Sequence, residues 1–370
     1  MTLSEQTNEL MAEDEVAEVG SEADFDREKL RAYLEGKIAS AHGPMEVKQF
    51  RGGHSNLTYL LRFGDSEWVM RRPPPGPLPP GGHDVIREYR VLSVLWQAYS
   101  PAPRAVLLCE DPSVIGAPFF IMERRKGFVL RMRQPVPAEL DTSAENLRRL
   151  SEAFIDALAA LHNVDYQAIG LGTLGKPQGF LERQINGWMM RWERAKTREL
   201  ALMNKLGEWF LANMPAPQPP SLLHNDFFLH NVMFDFNDVS KVNAVLDWEM
   251  CTLGDPMVDL GIALGYWREA GDDPELLALS EGHAHTTMPG FLSREQLARR
   301  YAEKTGRDIS SLPYYIAWAH WKTATVVEQL YGRYLRGLTR DERFALLGKQ
   351  PPVLARSAAA LLAAHYGFNA

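Results

Sequence analysis

The 370-residue sequence predicts an α+β fold, a small antiparallel-sheet lobe followed by a larger, mostly helical lobe. Three observations predict it. Short strand-like runs separated by turns fill the chain before residue 123. Apolar residues at helical spacing dominate after it. The length also exceeds what one simple core holds, so two lobes with a cleft are expected. Hydrophobic residues make up 45% and charged residues 24%, enough apolar surface for a large core.

Residues 1–24 carry eight acidic groups and no Lys or Arg, which predicts a disordered or loosely docked tail. Residues 25–123 form the expected sheet lobe. Asp26 is placed to cap a helix bearing Leu30, Tyr33, Leu34 and Ile38, which Gly43-Pro44 ends. Val47 to Phe50 reads as a strand, then a glycine-containing loop from Arg51 to Asn56. Leu57 to Leu61 is a second strand, Gly64-Asp65 a turn, and Trp68 to Arg71 a third strand. The proline run from Pro73 to Pro77 can be neither helix nor inner strand. A helix over about 84–96 places Val85, Tyr89, Leu92 and Leu95 on one side. Val106 to Leu108 and Phe119 to Met122 are further strands. Residues 124–370 form the helical lobe. Leu147, Leu150, Phe154, Leu158 and Leu161 recur at the helical interval, 178–213 is helical, 222–247 is strand-like, and 313–336 is an amphipathic helix.

The net charge of -7 argues against nonspecific nucleic-acid binding. Cys109 and Cys251 read as free thiols of a reducing compartment. No signal peptide and no bilayer-spanning run is seen, so a cytoplasmic protein without membrane attachment is expected.

The chemistry concentrates at His224-Asn225-Asp226-Phe227-Phe228-Leu229-His230-Asn231. An aspartate that accepts a hydroxyl proton, with an asparagine five residues on for magnesium, is a kinase catalytic-loop arrangement. Asp226 is the base and Asn231 a metal ligand. Asp247, at the end of the apolar run Val245-Leu246, is the second metal ligand. His224 is read as a packing element and His230 as a loop residue. Asp255 and Asp259 are read as braces for the segment after Asp247. Glu249 is read equally as an aid to a second magnesium or as solvent-facing.

The stretch from His224 to Asp259, with Asp247-Trp248-Glu249 and Gly254-Asp255-Pro256-Met257-Val258-Asp259-Leu260, resembles the aminoglycoside phosphotransferase-like superfamily. The likeness covers most of residues 45–340 and implies a bilobal protein-kinase-like fold that uses ATP and Mg2+. Gly52-Gly53-His54-Ser55-Asn56-Leu57-Thr58-Tyr59, Val69-Met70-Arg71-Arg72-Pro73-Pro74-Pro75-Gly76 and Cys109-Glu110-Asp111-Pro112-Ser113-Val114-Ile115-Gly116 resemble one branch in particular. It is the phosphotransferase branch of acyl-CoA dehydrogenase family members ten and eleven. That branch usually has His-Gly-Asp, so Asn225 departs from it. Choline kinases share His-Asn-Asp but do not usually continue with Asp-Trp-Glu and Gly-Asp-Pro.

The glycine loop lies between two strands, as a kinase phosphate clamp does, whereas a Walker or dinucleotide loop opens a helix. Gly52 and Gly53 let the backbone approach phosphate, and Ser55 and Asn56 are candidate donors. Arg71 stands where protein kinases carry a strand lysine, with Arg72 as the alternative and Glu88 as the helical partner. The backbone of Glu123 and Arg124 is placed against adenine.

The acceptor site is expected in the helical lobe. Trp188, Arg191, Trp192 and Arg194 form one aromatic and basic cluster, and Tyr314, Trp318, Trp321 and Lys322 another. They read either as core or as an acceptor pocket. Arg183, Arg191, Arg194 and Arg198 lie close together and acidic residues do not cluster in these two helical stretches, which speaks against a polycationic aminoglycoside. The resemblance implies a hydroxyacyl-CoA of the 4-hydroxy type as acceptor, with a small accessory protein or a homodimer as partner. The competing readings are a kinase for an antibiotic, a choline-like alcohol or a sugar, and a nucleotide-binding pseudokinase.

Overall fold

The computed structural model of the protein describes residues 16–20, 25–50, 56–75, 84–131, 134–281, 284–339 and 342–369. Two compact units are formed. The first takes in Met1–Val129, Gln167–Leu171 and Asn231–Cys251, and the second Leu130–Tyr166, Gly172–His230 and Thr252–Ala370. The partition is therefore not a single cut after residue 123. Strand pairing explains the difference. Val232–Phe234 pairs with Val242–Val245 on one side and with Phe128–Val129 on the other, and the Val245 amide donates to Pro101 O at 2.8 Å.

The first unit is built on a six-stranded antiparallel sheet. Its strands are β1 (Val16–Ala17), β2 (Glu46–Phe50), β3 (Leu57–Phe63), β4 (Ser66–Arg72), β5 (Ala105–Cys109) and β6 (Phe119–Glu123), in the order β1-β2-β3-β4-β6-β5. The β3–β4 hairpin turns through Gly64, whose φ of 57° suits a two-residue turn. Two sequence expectations are corrected. Within the expected tail, Val16 and Ala17 add an edge strand, because the Val16 side chain is buried and its backbone pairs with Phe50. The other parts of that tail, 1–15 and 21–24, lie outside the described residues. The first helix, α1 (Arg27–Leu34), begins at the predicted Asp26 cap but stops well short of Gly43. Gly36 turns the chain at φ 80°, after which Ile38 and Ala41 still pack into the core with Leu30, Tyr59, Met70 and Phe119. Helix α2 (Val85–Leu95) is capped by Asp84 and buries Glu88 on the same face as Val91, Leu92 and Leu95.

The second unit is mainly helical. Helix α3 (Ala144–His162) buries Leu147, Leu150, Phe154, Leu158 and Leu161, the residues picked out by their spacing. The stretch 178–213 divides into α4 (Phe180–Ala195) and α5 (Ala201–Ala212). The break has a tertiary cause. Thr197 donates its amide and its hydroxyl to the fully buried Glu328, at 2.8 and 2.7 Å. Helices α6 (Pro256–Tyr266), α7 (Pro274–Ala278), α8 (Arg294–Thr305), α9 (Leu312–Leu335) and α10 (Gln350–Tyr366) follow. Helix α6 packs on α9 with no room to spare. A Cβ on Gly261 would lie 2.6 Å from Tyr315 O. In a short antiparallel pair, Ser221–Leu223 leads into the loop that holds Asp226 and Thr252–Gly254 leads into α6. Cys109 and Cys251 are buried free thiols. Among the described residues no helix is long and apolar enough to cross a membrane.

Candidate functional site

In the first unit the site centres on Arg71. Alternation along β4 sends Arg71 and Arg72 to opposite faces, which distinguishes them. Arg72 donates to Ile115 O at 3.4 Å and lies over the Phe25 ring. Arg71 reaches the other way. Its two terminal nitrogens each stand 2.9 Å from a carboxylate, Glu88 Oε1 and Asp247 Oδ1. Glu88 is fully buried, and its Oε1 also accepts the Trp248 amide at 3.4 Å. Burial pushes the Glu88 carboxyl up, and Arg71 pulls it back down. The forked guanidinium suits this double duty better than a single ammonium would.

Asp247 has φ 68°, a left-handed conformation that aspartate tolerates better than most residues. Trp248 fixes the turn from behind, with its indole N–H on Val245 O at 2.7 Å and its ring edge-on to Tyr99. Asn231 is tied to the same turn, since its carbonyl accepts the Leu246 amide at 2.8 Å. A carboxylate and an amide oxygen carried by one hairpin fit a hard cation. Magnesium usually takes only one or two protein carboxylates and completes its shell with phosphate and water. Among the described residues no group of three or more His, Cys, Asp or Glu is placed to hold a metal by itself.

Of the clamp residues, Gly52, Gly53 and Ser55 lie outside the described residues. Asn56 donates to Glu249 Oε2 at 2.9 Å, so both of these side chains are engaged with each other. The Glu123 amide is committed to Arg104 O at 3.0 Å, which removes it as a donor to adenine. Arg124 lies just past the end of β6, and its side chain pairs with Glu67.

In the second unit the backbone around Asp226 is held by a carboxylate that the sequence placed elsewhere. Asp259, in the first turn of α6, is fully buried. Its two oxygens accept the His224 amide at 2.6 Å and the Asn225 amide at 2.7 Å. His162 Nε2 stands 3.3 Å from Asp259, and the Tyr301 hydroxyl is 2.7 Å from His162 Nδ1. Donation from Nε2 to the carboxylate leaves Nδ1 to accept from Tyr301. Burial pushes the His162 pKa down, and Asp259 opposes it. Thus Asp259 braces the loop before Asp226. Asp255 keeps to the expected part, capping α6 through the Met257 amide at 2.9 Å and accepting the Tyr315 hydroxyl at 2.7 Å.

Asn225 has φ 68°. Glycine adopts this conformation freely and asparagine is among the side chains that best tolerate it. That explains how Asn225 stands where the resembling branch has glycine. His224 is fully buried, and its Nδ1 accepts the Asp226 amide at 3.3 Å, in keeping with a packing role. Phe227 anchors the loop between Phe154 and His224. The Asp226 side chain stays 37% exposed, so the carboxylate remains reachable while its backbone is fixed. His230 lies tilted against Phe228 with ring centroids 4.7 Å apart, and burial depresses its pKa to about 4.

The aromatic residues separate into two sets. Trp192, Trp318 and Trp321 are buried in the helical core, and Trp321 donates to Met203 O at 2.9 Å. Trp188 stands beside charge instead. The Arg191 guanidinium lies 4.6 Å from its ring centroid and the Lys322 ammonium 5.6 Å. Lys322 in turn reaches Asp226 Oδ1 at 3.6 Å. Sequence reasoning grouped Lys322 with the α9 aromatics and missed this link, because 96 residues separate it from Asp226.

Known proteins resemble the chain in sequence and in fold. The pattern of the phosphotransferase enzyme family matches residues 46–294. Acyl-CoA dehydrogenase family member 11 of Pongo abelii is 33% identical over 341 residues, covering 89% of this chain and 42% of its own length. Acyl-CoA dehydrogenase family member 10 of Mus musculus is 33% identical over 84% of this chain and 29% of its own. The chain thus spans less than half of the curated relatives it matches. A crystal structure assigned as an aminoglycoside phosphotransferase of Ralstonia eutropha superposes with a TM-score of 0.77 at 32% identity, covering 91% of this chain and 98% of that one. A thermostable aminoglycoside phosphotransferase bound to AMP-PNP and hygromycin B shares the fold, with a TM-score of 0.55 at 17% identity over 90% of this chain and 99% of that one.

Proposed function

The chain belongs to the phosphotransferase enzyme family, and from that premise we propose that it transfers the γ-phosphoryl group of ATP to the hydroxyl of a small molecule, a hydroxyacyl-CoA of the 4-hydroxy type. The observation that carries the reading is the fixed loop. Asp259 locks the amides beside Asp226 while the Asp226 carboxylate stays reachable. A base held in this way suits a reaction that depends on positioning more than on base strength.

In the proposed reaction the acceptor oxygen bonds to the γ-phosphorus as the bond to the β-phosphate oxygen breaks. The hydroxyl proton passes late to Asp226, and ADP leaves with the phosphate monoester still on the acceptor. Asn231 and Asp247 would hold magnesium, which supplies charge neutralisation on the phosphates. Arg71, positioned by Glu88, is the cation offered to phosphate. The acyl-CoA assignment is supported by the two relatives' names and by the basic surround of Trp188, Arg191 and Lys322, which suits an anionic acceptor better than a polycation.

The test supplies purified protein with Mg-ATP and a panel of 4-hydroxyacyl-CoA esters, choline, sugars and hygromycin B. Phosphorylated CoA ester is expected, with Asp226→Ala slowing turnover by about 100-fold or more while still binding Mg-ATP. Transfer only to another alcohol would sink the CoA assignment. Binding of Mg-ATP with no transfer at all would leave a nucleotide-binding module.

A further inference from the structure

We infer that Lys322 is a positioning residue for Asp226, an inference that rests on the phosphotransferase reading above. Lys322 projects from α9, and its side chain is 12% exposed. Withdrawing an ammonium from water is unfavourable unless partners replace the lost hydration. Here the partners are specific to one loop. Nζ donates to Asn225 O at 3.2 Å and stands 3.6 Å from Asp226 Oδ1. The residue whose carbonyl is taken is the one in the left-handed conformation. The residue whose carboxylate is taken is the proposed base.

The loop is thereby gripped from both sides. Asp259 takes the amides of His224 and Asn225, and Lys322 takes the following carbonyl and the Asp226 side chain. The two grips have opposite charge and come from different helices, α6 and α9, which pack directly on each other. Trp188 covers the ammonium on a third side, with its ring centroid 5.6 Å from Nζ. Trp188 is itself 92% buried, taking its 8% exposure from unity, and its indole N–H has no hydrogen-bond partner among the described residues. Excluding water beside the pair strengthens the attraction that holds the Asp226 carboxylate in one orientation. Without this restraint a part-exposed aspartate would sample several rotamers, and only one of them presents an oxygen to an acceptor hydroxyl.

The experiment uses the full chain with Lys322→Met, which keeps length and removes charge, Lys322→Cys, and each change combined with Asp226→Ala. Transfer to the hydroxyl that the wild type accepts is followed at saturating Mg-ATP, alongside the unfolding midpoint. Lys322→Met is expected to lower kcat by about 10- to 100-fold, leaving KM for ATP within about twofold. Aminoethylation of Lys322→Cys rebuilds an ammonium on a stem of lysine length and is expected to restore kcat. Cys109 and Cys251 are buried, and mass spectrometry of the alkylated protein checks that modification falls at position 322 alone. In the Asp226→Ala background, Lys322→Met is expected to cost no further activity, because the group it positions is gone. Unchanged kcat in Lys322→Met, a loss that aminoethylation fails to reverse in a folded protein, or full additivity with Asp226→Ala each overturns the assignment. In those cases a wild type that still transfers phosphate leaves the proposed function standing. A wild type that transfers phosphate to no hydroxyl removes that function, and the role of Lys322 with it.

Discussion

Replacing Asp259 by asparagine tests the loop clamp most directly. The carboxylate accepts two backbone N–H groups at 2.6 and 2.7 Å and faces His162 Nε2 at 3.3 Å, all of it buried. An asparagine offers one oxygen and one NH2. The oxygen can keep one of the two amides, through a neutral hydrogen bond about half as strong as the charge-assisted one. The NH2 then faces the second amide, donor against donor, and a buried N–H left unsatisfied costs about 1–3 kcal/mol. Relief from burying a charge offsets part of this. The net destabilisation is about 2–4 kcal/mol, which lowers the unfolding midpoint by roughly 5–10 °C for a unit of this size. Hydrogen exchange of a peptide spanning 222–228 should speed up while peptides of β3 and β4 do not change. Turnover should fall further than ATP affinity, because the loop carries Asp226 and not the Arg71 network. If Asp259→Asn unfolds within about 1 °C of wild type and shows unchanged exchange at 222–228, the clamp is not what holds the loop.

Two further outcomes follow from packing and from burial. Gly261→Ala sets a Cβ 2.6 Å from Tyr315 O, a backbone atom that cannot swing away. Helices α6 and α9 must separate, and calorimetry should show a loss of about 1–3 kcal/mol, whereas Gly271→Ala, with open space around it, should be nearly silent. His320 is held neutral, its pKa pushed down to about 3 first by burial and then by Arg268, with Nε2 on Gly265 O and Nδ1 near the Ser357 hydroxyl. The unfolded chain takes up this proton near pH 6.5 and the folded chain does not. Stability from this site is therefore fully present above about pH 6.5 and declines as pH falls towards about 3, by roughly 2 kcal/mol on reaching pH 5. His320→Gln should unfold at a lower midpoint at pH 7 but lose less on acidification to pH 5. Equal slopes for the two proteins would refute the assignment.

What the sequence disclosed and what it concealed divide along sequence separation. Asp226, Asn231 and Asp247 stood out as candidates because they sit in short local motifs, and Leu147 to Leu161 were readable because one helix face repeats locally. Arg71 was readable only as one of two neighbours. Strand alternation decides between them, and which face meets Glu88 and Asp247 depends on a sheet register set by β3 and β6. The break between α4 and α5 was hidden because its cause, Glu328, lies 131 residues from Thr197. The same limit governed the loop itself. Asp259 and Lys322 reach it from 34 and 97 residues beyond Asn225, and neither spacing carries a local signature. Short motifs name the candidate groups, while the groups that hold their loop are supplied by helix packing. Gly261 belongs to the second kind of information. It lets α6 approach α9 closely, and that approach brings a carboxylate from one helix and an ammonium from the other onto the same three residues.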